Sequence, residues 1–386
     1  MKKKKILFCV HNFNHGGISK GLQNILLAMD YERYEVSIFC ACHEGPYSSF
    51  FYRYNCLSED WILWLFCANY RKLRGIKKVV ALTAKGLRKI LMKFGCDMLE
   101  LRLSKLASLL STRNYDVVIA YAEGMITHFV AKIDNVKRLA WMHIDYRRFL
   151  EYGERPLDSV GHKFDVIISP SKYSASTLVE LLPDYKGEVV SLRNLVDEES
   201  IKSMSRDFTS IDDRFDTSRF TIVSVGRVCY EKQFFEIPRI AAALKKQGLL
   251  FKWYIIGGGS PFETAILQNQ ISEHSVAEEV ICLGEKKNPY PYMRKGDCVA
   301  VLSRSETFCY TIFEARTLGI PVVSTNFASA KEIMDNKFGM VTELQEFHRC
   351  IIRLANDEEY RKYYKHELQQ YKYDNETILT NLYSLF

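Results

Sequence analysis

Short apolar patterns typical of buried β-strands alternate with helical patterns in two separate series along the 386-residue chain. The first series runs from residues 5–10 (KILFCV) to residues 165–169 (DVIIS), and the second from residues 220–225 (FTIVSV) to residues 321–324 (PVVS). Such alternation predicts parallel sheets with helices on their faces. The length suits two domains. We therefore predict two α/β domains, joined by a linker in the polar, weakly patterned residues 197–218.

Composition indicates a soluble globular protein, with 47% hydrophobic residues, 26% charged residues and a net charge of +7. The 11 cysteines are scattered and form no CxxC pair, which indicates reduced thiols in a cytosolic protein. The basic start, residues 1–5, precedes an apolar run too short for a signal peptide. The longest apolar run, residues 61–68, is about half a membrane span. We therefore expect a cytoplasmic protein without a membrane-spanning helix.

Two glutamates lie where a ligand of an α/β sheet is expected. Glu306 is on the loop after the predicted strand 297–302, and Glu314 is in the first turns of the predicted helix 310–318. Ligands of open α/β sheets bind at the carboxyl ends of the strands. A carboxylate there can accept two hydrogen bonds from the vicinal diol of a ribose or a hexose. Taken alone, two solvated glutamates at a helix start, favoured by the helix dipole, explain the pattern as well.

The surrounding residues carry a resemblance to a known family. Glu306 and Glu314 have seven residues between them and are followed by residues 319–323 (GIPVV). This resembles the E-x7-E signature of the retaining GT-B glycosyltransferases called "glycosyl transferases group 1", or family 4. The resemblance implies that Glu306 contacts the donor sugar and Glu314 the nucleotide ribose. The chain departs from the family at Cys309, where glycine is common.

The resemblance also implies a GT-B architecture, with two Rossmann-like domains facing across a cleft. We place an acceptor-side domain at residues 1–197 and a nucleotide-sugar-binding domain at residues 198–370. Residues 371–386 are expected to form a helix that crosses back onto the first domain.

A basic loop follows the first strand of the second series. Gly226, Arg227 and Lys232 match the family's G-R-x-x-x-x-K segment, with Gln233 where glycine is frequent. Two cations five residues apart on one loop can converge on a diphosphate. The sequence contains no Asp-x-Asp motif, so no metal clamp is indicated and no metal ion or other cofactor is expected.

Two further segments of the second domain are candidates for donor binding. Residues 257–259 are three glycines, which let backbone amides such as that of Gly258 approach a ligand closely, or which simply allow a sharp turn. Asn288 lies in residues 288–290 (NPY), a segment that resembles the family's contact with the nucleotide base.

In the first domain, Gly16 and Gly17 separate a predicted strand from a predicted helix, residues 18–29. Free amides and the helix dipole make such a turn a phosphate site, although a tight turn also needs glycine for steric reasons. The resemblance implies that these glycines face the donor diphosphate.

Three polar residues follow the later strands of the first domain. His143 ends the predicted strand 138–142, at the place where the family often carries a histidine near the reacting carbon. Glu123 and Asp145 lie close to strand ends as well, and either could meet the acceptor.

A basic amphipathic stretch occupies residues 71–95, with nine basic residues and no acidic one. Leu73, Ile76, Val80, Leu87, Leu91 and Phe94 recur at helical spacing and form one apolar face. Such a helix can lie on an anionic bilayer, with Trp61 and Trp64 at the interface. An ordinary surface helix that packs its apolar stripe on the sheet is the alternative. Nucleic-acid binding is not favoured, because aromatic residues are not interleaved with the basic ones.

Together these features predict a retaining, metal-independent glycosyltransferase that moves a sugar from a nucleotide-diphosphate sugar to a hydroxyl acceptor. His143, Arg227, Lys232 and Glu306 are the predicted catalytic residues. A lipid-linked glycan in cell-surface polysaccharide synthesis is the expected acceptor, met at the inner membrane face. The alternatives are an epimerase or phosphorylase of the same fold, or a non-catalytic protein that binds a membrane surface or nucleic acid.

Overall fold

The computed structural model describes residues 2–70, 73–209, 211–335 and 338–386. The chain divides into two compact units. Unit 1 comprises Met1–Leu195 and Asn375–Phe386, and unit 2 comprises Val196–Asp374. Each unit is built on one parallel sheet.

Unit 1 contains a seven-stranded sheet. Its strands are β1 (Lys4–Asn12), β2 (Tyr34–Cys42), β3 (Asn55–Cys56), β4 (Val117–Ala120), β5 (Lys137–Trp141), β6 (Val166–Ser169) and β7 (Glu188–Ser191). They lie in the order β3-β2-β1-β4-β5-β6-β7, and every neighbouring pair is parallel.

Helices connect these strands on both faces of the sheet. They are α1 (Gly17–Ala28), α2 (Ser48–Phe51), α3 (Trp61–Cys67), α4 (Gly75–Met92), α5 (Met98–Ser111), α6 (Met125–Val130), α7 (Tyr146–Glu151) and α8 (Lys172–Leu181). Because both faces are covered, β1 is apolar on both sides: Leu7 and Cys9 lie in one core cluster, and Ile6, Phe8 and Val10 lie in the other.

Unit 2 contains a six-stranded sheet of the same kind. Its strands are β8 (Phe220–Val225), β9 (Phe251–Ile256), β10 (Val280–Gly284), β11 (Cys298–Val301), β12 (Val322–Thr325) and β13 (Gly339–Thr342). Its helices are α9 (Glu198–Met204), α10 (Ile237–Lys246), α11 (Pro261–Glu273), α12 (Tyr290–Lys295), α13 (Tyr310–Thr317), α14 (Ala330–Met334), α15 (Phe347–Asn356) and α16 (Glu358–Gln370). The strand order is β10-β9-β8-β11-β12-β13.

Both strand orders reverse direction between two central strands, β1 and β4 in unit 1 and β8 and β11 in unit 2. The loops that leave such a pair diverge, which opens a crevice at the carboxyl edge of the sheet. These two edges are therefore the places in each unit where a ligand is expected.

The last helix, α17 (Asn375–Ser384), belongs to unit 1. Tyr383 stacks on Tyr34 with ring centroids 4.9 Å apart, and its hydroxyl accepts a hydrogen bond from the Asp30 amide at 2.9 Å. The aromatic side chain of Phe386 packs edge-on against Tyr34 at 5.5 Å. These contacts fix the end of the chain beside β2.

The segment predicted as a linker, residues 197–218, is folded against unit 2 over its described part. It contains α9, and its loop is held by polar contacts: the Asp212 amide donates to the Tyr292 hydroxyl at 2.8 Å, and Lys286 Nζ lies 2.7 Å from Asp212 Oδ2. The segment thus begins at the boundary between the two units and is largely exposed, but these contacts attach it to unit 2 rather than leaving it a free linker.

Candidate functional site

The loop after β8 and the loop after β11 meet at the carboxyl edge of unit 2, because β8 and β11 are neighbours. The Arg304 amide donates to the Glu231 carbonyl at 2.8 Å. The Arg304 guanidinium lies over the Tyr230 ring, 4.4 Å from its centroid. The two loops therefore form one connected surface.

Lys232 and Glu306 form an ion pair across these two loops. The Lys232 side chain keeps 26% of its exposure and the Glu306 side chain 15%, so both are largely enclosed but remain reachable from solvent. Burial alone lowers the pKa of Lys232, but the Glu306 charge more than offsets this and holds that pKa above its usual value. Lys232 is therefore a permanent cation at this edge.

Two serines that the sequence analysis did not single out fix Glu306. The Ser303 hydroxyl donates to Glu306 Oε1 at 2.7 Å, and the Ser329 hydroxyl donates to the Glu306 carbonyl oxygen at 2.5 Å. Ser303 lies three residues before Glu306, a spacing that could have indicated the contact. Ser329 gives no such signal, because it comes from a distant part of the chain.

Glu314 lies in the second turn of α13 and is buried, with 6% of its surface exposed. Its Oε1 accepts a hydrogen bond from the Tyr290 hydroxyl at 3.1 Å. Because a buried carboxylate is costly without hydrogen bonds, Tyr290 is part of what keeps Glu314 in place. Tyr290 was not predicted as a site residue.

Glycine is required where β8 and β9 end. Gly226 and Gly257 have φ values of 153° and 156°. A Cβ on Gly257 would lie 1.7 Å from the Gly226 carbonyl oxygen, which no side chain can tolerate. A Cβ on Gly258 would make only ordinary contacts, 3.7 Å from Glu285. Glycine at position 257 is thus required by the close approach of two backbone segments, whether or not the run contacts a ligand.

The two positions at which the chain departs from the family's glycines are both left-handed. Gln233 has φ 50° and Cys309 has φ 58°. Side chains disfavour this conformation by roughly 1–2 kcal/mol, which explains why glycine is common at such positions. In this chain both positions adopt the left-handed conformation with a side chain present. The Cys309 thiol is buried beside the site, and this burial raises its pKa.

Asn288 is held by main-chain contacts within unit 2. Its side-chain nitrogen donates to the Met204 carbonyl at 2.8 Å, and its side-chain oxygen accepts from the Tyr290 amide at 3.2 Å. These two contacts orient the start of α12 and link it to α9. Any contact of Asn288 with a base would have to coexist with them.

In unit 1, Gly16 precedes α1 with φ 156°, and Gly17 is the first residue of that helix. No side chain caps this helix in the part of unit 1 that the structure describes. A Cβ on Gly16 would meet nothing within 4 Å. The helix start is thus open, as an anion site at a helix N-terminus must be.

Glu123 and His143 lie together at the ends of the neighbouring strands β4 and β5. Glu123 Oε1 accepts hydrogen bonds from the main-chain amide of His143 and from that of Ile144, the latter at 2.7 Å. Burial raises the pKa of Glu123 to about 7, although the amides oppose this. Burial lowers the pKa of His143 to about 3, so its imidazole is neutral in ordinary buffers.

Asp145 is a helix cap. It precedes α7, its Oδ1 accepts from the Arg147 amide at 2.9 Å, and it is buried. Capping accounts for its position, and nothing in these contacts favours a meeting with the acceptor.

Helix α4, within the predicted basic stretch, exposes its apolar face. Arg71 and Lys72 lie outside the described residues. The large exposed apolar residues of α4 and the turn after it are Ile76, Val79, Val80, Leu82, Leu87, Ile90, Met92 and Phe94. Ile76 keeps 82% and Phe94 81% of their exposure, so the alternative in which this stripe packs on the sheet is wrong for these residues.

The side of α4 that packs against the rest of unit 1 is partly basic. Lys85 Nζ donates to the Ala68 carbonyl at 2.8 Å, and Arg88 makes two 2.7 Å hydrogen bonds to Asp97. Trp64, predicted at a membrane interface, instead donates to Glu44 at 3.2 Å, whereas Trp61 is 68% exposed.

No helix in the described ranges combines the length and apolar character needed to cross a bilayer. Across the same ranges, no group of three or more His, Cys, Asp or Glu side chains is arranged to hold a metal ion.

Residues 205–371 match the family model described as "Glycosyl transferases group 1". Two curated relatives are glycosyltransferases by name. One is the N-acetylgalactosamine-N,N'-diacetylbacillosaminyl-diphospho-undecaprenol 4-alpha-N-acetylgalactosaminyltransferase of Campylobacter jejuni, 28% identical over 214 residues, which are 53% of this chain and 54% of the relative. The other is the amylovoran biosynthesis glycosyltransferase AmsD of Erwinia amylovora, 26% identical over 39% of this chain and 43% of the relative. The chain thus aligns with about half the length of these relatives or less.

Solved structures match over nearly the whole chain. Anabaena Alr3699/HepE in complex with UDP and glucose has a TM-score of 0.73 at 18% identity, covering 99% of this chain and 98% of that one. The lipopolysaccharide outer core galactosyltransferase WaaB in its apo form has a TM-score of 0.65 at 14% identity, covering 99% and 100%. At these identities the likeness shows a shared fold.

Proposed function

We propose that the chain transfers a sugar from a nucleoside-diphosphate sugar to a hydroxyl group, because residues 205–371 match the glycosyl transferases group 1 family and the chain shares its fold with a solved galactosyltransferase. The reaction breaks the bond between the anomeric carbon and the diphosphate and forms one to the acceptor oxygen. The departing diphosphate takes the acceptor proton. We propose that the anomeric configuration is retained and that no metal ion takes part.

The observation that carries this proposal is the Lys232–Glu306 ion pair at the carboxyl edge of unit 2, with Glu314 buried on the helix that follows. The edge lies at the reversal of strand order between β8 and β11, where α/β sheets bind ligands. It presents a cation and two fixed carboxylates. Those are the groups that a diphosphate and two diols require.

Each residue has a proposed part in the reaction. Lys232 and Arg227 stabilise the negative charge that develops on the leaving diphosphate, and preorganised charges of this kind supply much of a transition state's stabilisation. Glu314 accepts hydrogen bonds from the ribose, and Glu306 from the donor sugar. His143 contacts the reacting region as a neutral imidazole, since with a pKa of about 3 it is not the imidazolium acid near neutral pH. The open start of α1 is a second site for phosphate oxygens.

The acceptor we propose is a lipid-linked glycan of a cell-surface polysaccharide. The Campylobacter relative is named for a diphospho-undecaprenol substrate, and the Erwinia relative for amylovoran biosynthesis. The first name describes transfer of a sugar onto another sugar that is linked through a diphosphate to undecaprenol, a lipid alcohol.

A lipid-linked acceptor is met at a membrane, and α4 supports peripheral docking there. Its exposed apolar face is flanked by the exposed Lys77, Lys78 and Lys89. Apolar side chains entering the headgroup region, with lysines beside them, are the features of an interfacial helix. We therefore propose that α4 binds the anionic inner face of the membrane.

An epimerase or a phosphorylase of the same fold is the second candidate function. Both would bind the nucleotide sugar through the same residues of unit 2. Only the fate of the sugar therefore distinguishes them from a glycosyltransferase.

The test is a panel of UDP-, dTDP-, GDP- and ADP-sugars, each added with EDTA to the wild-type protein. We expect one base and sugar to raise the melting temperature most. That donor should yield free nucleoside diphosphate once short-chain lipid-linked acceptors are added. Conversion of the donor without an acceptor into another nucleotide sugar would make the protein an epimerase, and release that depends on inorganic phosphate would make it a phosphorylase. A panel in which no nucleotide sugar binds would reject the proposal.

A further inference from the structure

The turn that carries His143 is held by a side chain from the neighbouring strand. β5 ends at Trp141, and the next amide, that of Met142, still pairs with the Ile168 carbonyl of β6 at 2.8 Å. The following two amides, of His143 and Ile144, donate to the Glu123 carboxylate. Glu123 thus provides hydrogen-bond acceptors for the backbone that follows β5, after the neighbouring strand β4 has ended at Ala120.

The His143 ring is held by the same pair of strands. It stacks on Trp141 of β5, with centroids 5.8 Å apart and planes 6° from parallel. Tyr121, directly after β4, meets it edge-on at 4.5 Å. The aromatic contacts fix the ring only while the backbone at residue 143 stays in place. Glu123 therefore controls the position of the whole residue.

We propose that Glu123 is a positioning residue: its side-chain oxygen accepts the amides of residues 143 and 144 and thereby holds the His143 imidazole in the geometry that sugar transfer requires. This role rests on the proposed function, in which His143 contacts the reacting region. It replaces the expectation that Glu123 itself meets the acceptor. A misplacement of about 1 Å at a reacting group can reduce turnover by about 10²-fold.

The chemistry of the contact makes the role separable from acid or base catalysis. Two amide donors need an oxygen acceptor at the right place, and they do not need a negative charge. Glutamine offers an amide oxygen at the same distance from the backbone. Aspartate keeps an ionisable carboxyl group, but its side chain is one methylene shorter and withdraws from the amides. Glutamine therefore keeps the geometry of the contact without an ionisable group, and aspartate keeps the ionisable group without the geometry.

The experiment compares Glu123→Gln with Glu123→Asp. For Glu123→Gln we expect kcat within about 3-fold of wild type, and for Glu123→Asp a loss on the order of 10²-fold in kcat with an unchanged donor KM. In the background of His143→Ala, Glu123→Asp should cost little more, because the residue it positions is gone. The opposite order, with the aspartate variant active and the glutamine variant inactive, would show that the charge or proton of Glu123 matters and would overturn the proposal. A full additional loss in the double variant would do the same.

A readout independent of turnover separates this inference from the proposed function. In protein labelled with ¹⁵N-histidine, the His143 amide resonance should stay in place in Glu123→Gln and move upfield in Glu123→Asp, because a hydrogen bond to it is lost. An unmoved resonance in Glu123→Asp would refute the positioning role, even if the wild-type protein turned over no nucleotide sugar. A moved resonance in a protein that transfers no sugar would leave the contact correct and the proposed function wrong.

Discussion

Lys232 and Glu306 are 74 residues apart in the chain, and their side chains form an ion pair at the carboxyl edge of unit 2. The pair joins the loop after β8 to the loop after β11 and places one positive and one negative group side by side. In the reaction we propose, these groups serve different parts of one donor, the diphosphate and the sugar. The ion pair also holds both side chains in place, and the Ser303 hydroxyl fixes the Glu306 carboxylate as well.

The two glutamates should differ in what they bind. Glu314→Gln is expected to weaken binding of both the intact donor and the free nucleotide, since an amide accepts weaker hydrogen bonds from a diol than a carboxylate does. Glu306→Gln should leave nucleotide binding nearly unchanged and lower turnover of the donor. Calorimetry with nucleoside diphosphate alone distinguishes them, and equal losses of nucleotide affinity in both variants would contradict the division of roles.

Turnover should persist after divalent cations are removed. The sequence lacks an Asp-x-Asp motif, and Arg227 and Lys232 supply positive charge on one loop. We expect activity in EDTA to stay within about 2-fold of that in Mg²⁺, where a required metal clamp would contribute several kcal/mol. A reversible loss of activity on chelation, restored by Mg²⁺ or Mn²⁺, would require a metal site.

The membrane role of α4 predicts salt-sensitive binding to anionic liposomes. Changing the exposed Lys77, Lys78 and Lys89 to Glu should weaken this binding on the order of 10²-fold at low salt, at about 1 kcal/mol for each basic residue near the surface. Lys85 and Arg88 are left unchanged because they bind α4 to Ala68 and Asp97 within unit 1. Sedimentation with phosphatidylserine liposomes measures the effect.

A matched variant controls for net charge. Changing Lys246, Lys331 and Lys365 to Glu alters the charge by the same amount on exposed positions of unit 2, and it should retain most of the liposome binding. Equal losses of liposome binding in both variants would show that only the overall charge of the protein matters. If the wild-type protein does not bind these liposomes at low salt, the membrane proposal is wrong.

Gly257→Ala should destabilise unit 2 by about 2–4 kcal/mol, in the range of substitutions that create a steric clash. The reason is that the new Cβ would lie 1.7 Å from the Gly226 carbonyl oxygen. Gly258→Ala is the control, since its Cβ would lie 3.7 Å from the nearest atoms. Urea unfolding midpoints compare them, and similar midpoints for the two variants would argue against the close approach of these backbones.

Much of the fold could be predicted from the sequence because its central strands are apolar on both faces. The predicted bounds of β8 are the observed ones, and those of β1 differ by one or two residues at each end. β3, β7 and β13 were not predicted. β3 has two residues, and β7 and β13 are only partly buried, so none of them shows a buried pattern. The resemblance to glycosyl transferases group 1 is confirmed by the family match over residues 205–371, and the predicted two-domain α/β fold is confirmed by the solved structures that share it.

Less of the site could be predicted from the sequence, because its contacts join residues that are far apart in the chain. The resemblance indicated Glu306 and Lys232 separately, but their pairing follows from the adjacency of β8 and β11. Ser329 and Tyr290 contact the two glutamates through tertiary structure alone. For α4, periodicity identified the apolar face, yet it carries no information on whether another element covers that face.

Turnover of the nucleotide sugar by Lys232→Ala tests the central claim most directly. Lys245→Ala is its control, because Lys245 also forms an ion pair in unit 2, with Glu279 at 2.9 Å, but starts from α10. We expect Lys232→Ala to keep its fold and to lose about 10²–10³-fold in kcat, the usual effect of removing one preorganised contact to developing charge, while Lys245→Ala stays near wild type. A folded Lys232→Ala protein with near-normal kcat would contradict the account.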